Sequence, residues 1–311
     1  MEELAEDFRC APWTQRQGVD PVGSASPFDA LLLVEWPLPW PKDVGEIPAL
    51  AEAAADPRAM VMAVVPRQPD DALARVVHHR RVGTHRLAGV DHVVPRADVP
   101  GLVASLLDDA QEDTSGRPTA VGEAPAEVLV CGHGRRDPCC GRWGTLLQAE
   151  LAARLPDVRV WRCSHTGGHR FAPTAIMLPI GRAWAWTDAD LLAGIVARTA
   201  EVPDLVAHDR GSVALPMWAQ PVERELFAQQ GWEWLDAEVA DVTVDVDEGG
   251  RAAHVELQWY MADGAAWSAV ADVVATRVVP VLVCGEPPDA ATKSSLELAV
   301  TSLVVAGSER P

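Results

Sequence analysis

Hydrophobic positions in this chain fall into short runs and alternations rather than long blocks. Phe28-Asp-Ala-Leu-Leu-Leu-Val-Glu35 is apolar over strand length, the pattern of a strand buried on both faces. Ala59-Met-Val-Met-Ala-Val-Val65 reads the same way, and Glu46 to Ala55 between them reads as a helix. Asp91-His-Val-Val-Pro95 predicts a short strand and Val99 to Asp109 a closing helix. Gln111 to Ala126 is rich in Gly, Pro, Glu, Ser and Thr, a linker composition. The pattern then resumes. Glu127-Val-Leu-Val130 predicts a strand running into Cys131. Gly144 to Leu155 predicts a helix with Leu146, Leu147, Leu151 and Leu155 on one face. Val158 to Cys163 predicts a strand that delivers His165 at its end. Thr174 to Pro179 and Ala183 to Trp186 form a hairpin around Ile180-Gly181-Arg182, and Asp188 or Thr187 caps a helix from Ala189 to Thr199. Beyond Pro221 a helix to about Trp234 precedes alternating strands at Ala240 to Val246, Ala253 to Tyr260 and Val278 to Cys284. The turn Asp247-Glu-Gly-Gly250 joins the first two of these strands.

These elements predict an α/β protein. Residues 1–120 form an α/β unit, 121–220 a second one of order β-α-β-loop-β-β-α, and 221–311 a small α+β extension. The residues themselves show no internal repeat. At 311 residues and 48% apolar composition the chain has ample core. No apolar run approaches the ~20 residues of a membrane span, and the acidic start Met1-Glu-Glu-Leu-Ala-Glu-Asp lacks the positive charge of a secretory signal. The expected compartment is the cytoplasm. A net charge of −19 excludes nucleic acid as a general partner. Against that background the window Cys131 to Arg170 carries seven Arg and three acids, a net +4. Such a collar would steer an acidic protein partner toward the window, or else lines a solvated helix face.

The same window holds the chemistry. Cys131-Gly-His-Gly-Arg-Arg-Asp-Pro-Cys-Cys140 and His165-Thr-Gly-Gly-His169 place thiols and imidazoles in two close pairs, each at a strand end, where open α/β sheets put their sites. Clustered cysteines in a cytosolic chain point to metal or redox chemistry rather than a disulfide framework. A zinc site usually spaces its cysteines by two to four residues. Here eight residues separate Cys131 from Cys140, and seven separate it from Cys139. No Glu follows His165, so the zinc-protease motif is absent, and Gly167 and Gly168 favour a tight loop over a helix. A 2Fe–2S core takes four protein ligands, and two thiolates with two imidazoles satisfy it. Neutral imidazoles in place of two thiolates remove negative charge and raise the reduction potential, and their outer nitrogens can couple proton to electron. Zinc held by the same four residues, as a structural or interaction site, and thiol–disulfide exchange at Cys139-Cys140 are the alternatives.

The run from Glu127 to Pro179 resembles the sucrase/ferredoxin-like family. The matching residues are Cys131-x-His133-x-x-Arg136-Asp137-x-x-Cys140-Gly141 and His165-Thr-Gly-Gly-His-Arg-Phe-Ala-Pro173. The resemblance is weaker from Gly23 to Asp43 and faint after Pro221. It implies a thioredoxin-like ferredoxin domain, one 2Fe–2S cluster, electron transfer, and Cys131, Cys140, His165 and His169 as iron ligands. The preceding α/β unit is then a cluster-free, thioredoxin-like partner, and the chain a redox carrier rather than a self-contained enzyme. Its donor and acceptor are not named by the residues. Glycosidase chemistry is not supported, because no pair of carboxylates stands out.

His133, Arg136, Asp137, Cys139 and Arg170 are candidates for support around the ligands. Asp137 either braces the loop through backbone amides or pairs with Arg136. Cys139 is expected to be a spare buried thiol, and Cys163 a core thiol on the same strand side as His165. Cys10 and Cys284, without neighbours in sequence, are expected to be structural. His78, His79, His85, His92, His208 and His254 carry no motif. Trp161, Trp184 and Trp186 are expected in the core.

Overall fold

The structure is a computed structural model and describes residues 8–57, 59–67, 72–83, 86–108 and 112–307. His85, Asp109, Gln111 and the acidic start lie outside these.

The α/β expectation holds. Ten strands form one mixed sheet: β1 (Ala30–Glu35), β2 (Met60–Val64), β3 (Leu73–Val82), β4 (Arg86–Pro95), β5 (Ala120–Glu123), β6 (Glu127–Cys131), β7 (Arg159–Cys163), β8 (Ala175–Leu178), β9 (Arg182–Trp184) and β10 (Asp209–Ser212). Their order is β10-β9-β8-β6-β7-β2-β1-β3-β4-β5. The sequence of elements repeats. β1 and β2 are parallel and joined across the helix Ala51–Ala55; β3 and β4 follow antiparallel, then the helix Val99–Asp108 and β5. β6 and β7 are parallel across the helix Thr145–Arg154; β8 and β9 follow antiparallel, then the helix Ala189–Val196 and β10. The halves meet edge to edge where Val64 of β2 opposes Cys163 of β7, so the sheet runs unbroken past residue 120. This duplication of topology is invisible in the residues, which share element order and not identity.

The sheet curls. At ~4.8 Å per strand a flat sheet would hold β3 and β6 about 19 Å apart. Instead His79 Nε2 lies 2.6 Å from Glu127 Oε2, and the Leu87 N–H donates to the Pro179 carbonyl at 3.0 Å. The concave face buries Leu31, Leu33, Met62, Val64, Leu129, Trp161 and Ile176 in one core shared by both halves. On the other face Leu32, Val34 and Val61 pack with the helical residues Leu102 and Leu106. Val128, Val130 and Val160 likewise pack with Leu147, Leu151 and Leu192. Leu147 and Leu151 are buried as expected, but Leu146 is 66% exposed. One residue along a helix rotates the side chain by about 100°, which takes it off the core face.

Other expectations shift. The helix expected over 46–55 splits into a turn, Val44–Glu46, and the helix Ala51–Ala55, because Pro48 disfavours helical geometry at Ile47. The linker contains β5, which edges β4. After the helix Gln220–Gln230 the C-terminal region forms an antiparallel sheet of β11 (Glu238–Val246), β12 (Ala252–Tyr260), β13 (Ala266–Pro280) and β14 (Ser294–Gly307). The strand expected at Val278 to Cys284 is the end of β13, and Cys284 lies beyond it. Val255, Leu257 and Trp259 of β12 pack into the same core as Trp234 and Phe227.

Candidate metal centre

Cys131 is the last residue of β6, opposite Cys163 of β7. The chain then loops outward through His133, whose Nε2 lies 2.8 Å from the Pro41 carbonyl, and returns at Asp137. Asp137 Oδ1 accepts the N–H of Cys139 at 2.8 Å and of Cys140 at 3.4 Å, so Asp137 braces the loop through amides and does not pair with Arg136. Arg136 donates instead to the Lys42 carbonyl at 3.4 Å. The helix opens with a wide π-type turn, Cys140–Gly144, a local distortion often found at functional sites. This turn packs directly on β6. A Cβ on Gly144 would lie 1.8 Å from the Cys131 carbonyl oxygen, so no larger residue fits there.

β7 leads through Ser164 to His165. Gly167 (φ +78°) and Gly168 (φ +64°) then turn the chain back, a conformation that costs glycine little. The rings of His165 and His169 come to lie 5.8 Å apart at 40°. Their spacing of four residues therefore reflects a tight loop and not a helix face. His169 Nε2 lies 2.8 Å from the Leu282 carbonyl and must donate to it, which leaves the Nδ1 lone pair free. His165 Nδ1 is buried with no hydrogen-bond partner. The Cys131 thiol faces both Cys140 and the His165 ring. The structure thus places Cys131 against Cys140 and the His165 ring, with the His169 ring beside His165, while the group of ligand atoms that closes to within 4.8 Å is a different one.

Contact with Cys140 and with His165 holds the Cys131 thiol well below its usual range. The same contact, with burial, pushes Cys140 up. Burial lowers His133 and His169 and raises Cys163, which sits in the shared core as expected.

Two buried guanidiniums flank the site. Arg210 on β10 donates from Nη2 to the Ser24 carbonyl at 2.5 Å and from Nη1 to the Gly167 carbonyl at 3.3 Å. A Cβ on Gly168 would strike it at 2.5 Å, so the histidine loop is moulded against this side chain. Arg170 donates to Ser295 Oγ of β14 at 2.8 Å. Burial brings both down to about 10, which leaves them charged at neutral pH. Arg170 was visible in the motif. Arg210 was not, because only the fold brings β10 to this loop.

A second group lies beside the first. Cys10, Asp137, Cys139 and Cys284 place one ligand atom each within 4.8 Å of one another, and could hold a metal ion. No histidine belongs to this set. The spare thiol expected at Cys139 and the isolated structural thiols expected at Cys10 and Cys284 are therefore one cluster. Sequence gave no signal for it, since 274 residues separate Cys10 from Cys284. Contact with Cys10 and Cys284 brings Cys139 down to about 4, and burial raises Asp137.

A family model described as sucrase/ferredoxin-like matches residues 21–213. Three curated relatives share the name "Altered inheritance of mitochondria protein 32". The protein of Meyerozyma guilliermondii is 40% identical over 58 residues, 17% of this chain and 21% of its own length. That of Kluyveromyces lactis is 43% identical over 49 residues, 16% and 15%. That of Clavispora lusitaniae is 43% identical over 67 residues, 19% and 24%. The chain thus matches a quarter or less of the length of each of these relatives. No solved structure gives a significant match.

Proposed function

The chain belongs to the sucrase/ferredoxin-like family, and we propose that it is an electron-transfer protein carrying one 2Fe–2S cluster on Cys131, Cys140, His165 and His169. The observation that carries this reading is the buried, unpartnered Nδ1 of His165 beside the contacting thiols of Cys131 and Cys140. A buried polar atom without a partner costs about 1–3 kcal/mol, and a metal bond would remove that cost. His169 offers the matching nitrogen because its Nε2 is committed to Leu282. The repeated β-α-β-β-β-α order of each half suits the thioredoxin-like unit that the resemblance implies.

The cluster, when bound, supplies a one-electron acceptor and donor of raised potential. The protein's part is electrostatic and steric. Arg210 holds positive charge beside Cys131 and Cys140 and Arg170 beside His169, and both sulfurs lie buried in a separate apolar cluster with Ala11, Ala172 and Leu282 that excludes water. On the histidine side a cleft of about 450 Å³ reaches His165, lined by His133 and the cations Lys42, Arg81 and Arg136, with Asp29 and Asp43 among its acids. This cleft is the proposed approach for a redox partner, and its cations favour an acidic one. The described free cysteines fit a reducing compartment, and no described helix is long and apolar enough to cross a membrane.

The test is spectroscopic. Purified anaerobically, the protein should be red-brown, with two irons per chain and an EPR signal on one-electron reduction. Cys131→Ser and Cys140→Ser should each lose most of the iron, while Cys139→Ser keeps the visible spectrum. A colourless, iron-free protein after reconstitution with iron and sulfide would refute the reading.

A further inference from the structure

We propose that Cys10, Cys139, Cys284 and Asp137 form a separate, mononuclear zinc site that ties the helix opening at Cys10 and the segment between β13 and β14 to the loop carrying Cys140. This inference does not depend on what Cys131, Cys140, His165 and His169 hold.

The geometry suits one tetrahedral ion. Cys139 Sγ lies 3.1 Å from Cys284 Sγ, and Cys284 Sγ 3.4 Å from Cys10 Sγ. Asp137 completes the set, with Oδ2 at 3.4 Å from Cys10 Sγ and Oδ1 at 3.6 Å from Cys284 Sγ. With Zn–S near 2.3 Å and Zn–O near 2.0 Å, a tetrahedron has edges of roughly 3.5–3.8 Å. The sulfur–oxygen separations match their edge, Cys10–Cys284 is about 0.4 Å short of a sulfur–sulfur edge, and Cys139 and Cys284 must part by about 0.7 Å, with either Asp137 oxygen free to serve as the fourth donor. Three soft sulfurs with one carboxylate select zinc over magnesium or calcium.

The chemistry of the donors points the same way. A disulfide would use two of the three thiols and strand the third beside a buried carboxylate. An ion uses all four. Supporting hydrogen bonds are in place: the Cys10 N–H donates to Cys284 Sγ at 3.4 Å, and Asp137 Oδ1 is steadied by the Cys139 amide. Cys10, Cys139 and Asp137 are buried, while Cys284 is half-buried, which leaves an entry path for the ion.

The site's position gives it a role. Cys10 opens the helix Cys10–Arg16, Cys284 follows β13, and Cys139 and Asp137 sit on the central loop. Cys10 and Cys284 both lie outside residues 21–213, the stretch matched by the family model. Two residues before Cys284, the Leu282 carbonyl holds His169 in its tautomer. Fixing Cys284 therefore fixes the strut behind one of the two imidazoles. Cys139 and Cys140, adjacent in sequence, face different sites, because neighbours on a helix point about 100° apart.

The test is elemental analysis and zinc-edge X-ray absorption on the full-length protein grown with zinc. The expected result is one zinc per chain, with three sulfurs near 2.3 Å and one oxygen near 2.0 Å. Cys10→Ser and Cys284→Ser should each lower zinc retention at least about tenfold against a fixed chelator concentration. Cys131→Ser and Cys163→Ser should retain it. If Cys10→Ser or Cys284→Ser fails to fold, the absorption edge and chelator competition of the unsubstituted protein still decide. Three outcomes overturn the proposal: no zinc at the edge; zinc lost with Cys131→Ser but kept with Cys10→Ser; or a Cys139–Cys284 disulfide in mass spectra of the alkylated protein.

Discussion

Arg210 shows how much of the candidate centre rests on a single side chain. It is fully buried, yet its donors are spent on the Ser24 and Gly167 carbonyls and the Ser24 hydroxyl, with no carboxylate paired to it among the described residues. A buried charge without a counter-ion is costly unless something nearby supplies negative charge. Cys131, whose thiol is held well below its usual range, lies nearby with Cys140, and both sulfurs act to keep Arg210 protonated. By reciprocity Arg210 stabilises negative charge on those sulfurs, and would do so more once an electron is added. Arg210→Met should therefore lower the reduction potential of the proposed cluster by on the order of 50 mV, the one-electron equivalent of a tenfold change in equilibrium constant. Arg210→Lys, which keeps the charge, should preserve most of the potential. A redox titration followed by EPR compares the three proteins. An unchanged potential in Arg210→Met would reduce Arg210 to a prop for the Gly168 turn.

Among the elements, the junction of the halves is held by a polar cluster inside the curled sheet. Glu127, at the start of β6, accepts from Trp161 Nε1 at 2.7 Å and Arg159 Nη1 at 3.2 Å, and meets His79 Nε2 at 2.6 Å. Arg159 also pairs with Asp91 of β4 at 2.6 Å. Glu127→Ala would leave His79 Nε2 and the Trp161 indole without a partner in the core, while Arg159 keeps Asp91. The expected cost is about 3–5 kcal/mol, read from the midpoint of urea unfolding at constant slope. By contrast Arg154→Ala, which removes exposed pairs with Glu150 and Asp190, should leave the urea midpoint nearly unchanged. This cluster also explains what the sequence hid. No strand is expected at β3, because Leu73-Ala-Arg-Val-Val-His-His-Arg-Arg-Val82 reads as polar, yet His78 and His79 are buried, with Thr114 against His78 Nδ1 and Glu127 against His79 Nε2. Local apolar runs, such as β1, β2 and β6, were legible because burial alone selects their residues. The two histidine and cysteine motifs were legible for the same reason: each fits within ten residues of one strand end. Cys10, Cys284 and Arg210 were not, since their proximity to the loop is a product of long-range topology.

At the scale of the whole molecule, the repeated halves raise the question of whether the second can stand alone. All four expected ligands lie beyond Ala120, so a chain starting there keeps every one of them. The structure adds three costs. Removing β1 and β2 uncovers the edge of β7, a row of unpaired backbone groups that invites aggregation. It strips Leu31, Leu33, Met62, Val64 and Val77 from the shared core that covers Leu129, Trp161 and Cys163. At about 1.5–3 kcal/mol for each lost side chain, that loss alone reaches the ~5–15 kcal/mol by which whole domains are stable. It also removes Cys10 and the helix that covers the histidine loop, and the Pro41 carbonyl that holds His133. Residues 120–311 should therefore accumulate as an aggregating or molten chain, with weak near-ultraviolet circular dichroism and little bound iron even after reconstitution. The full-length protein should melt in one cooperative transition, since the halves share a core and not merely a linker. A soluble 120–311 fragment that binds two irons and melts cooperatively would show the halves to be independent, with the continuous sheet a docking of two finished domains.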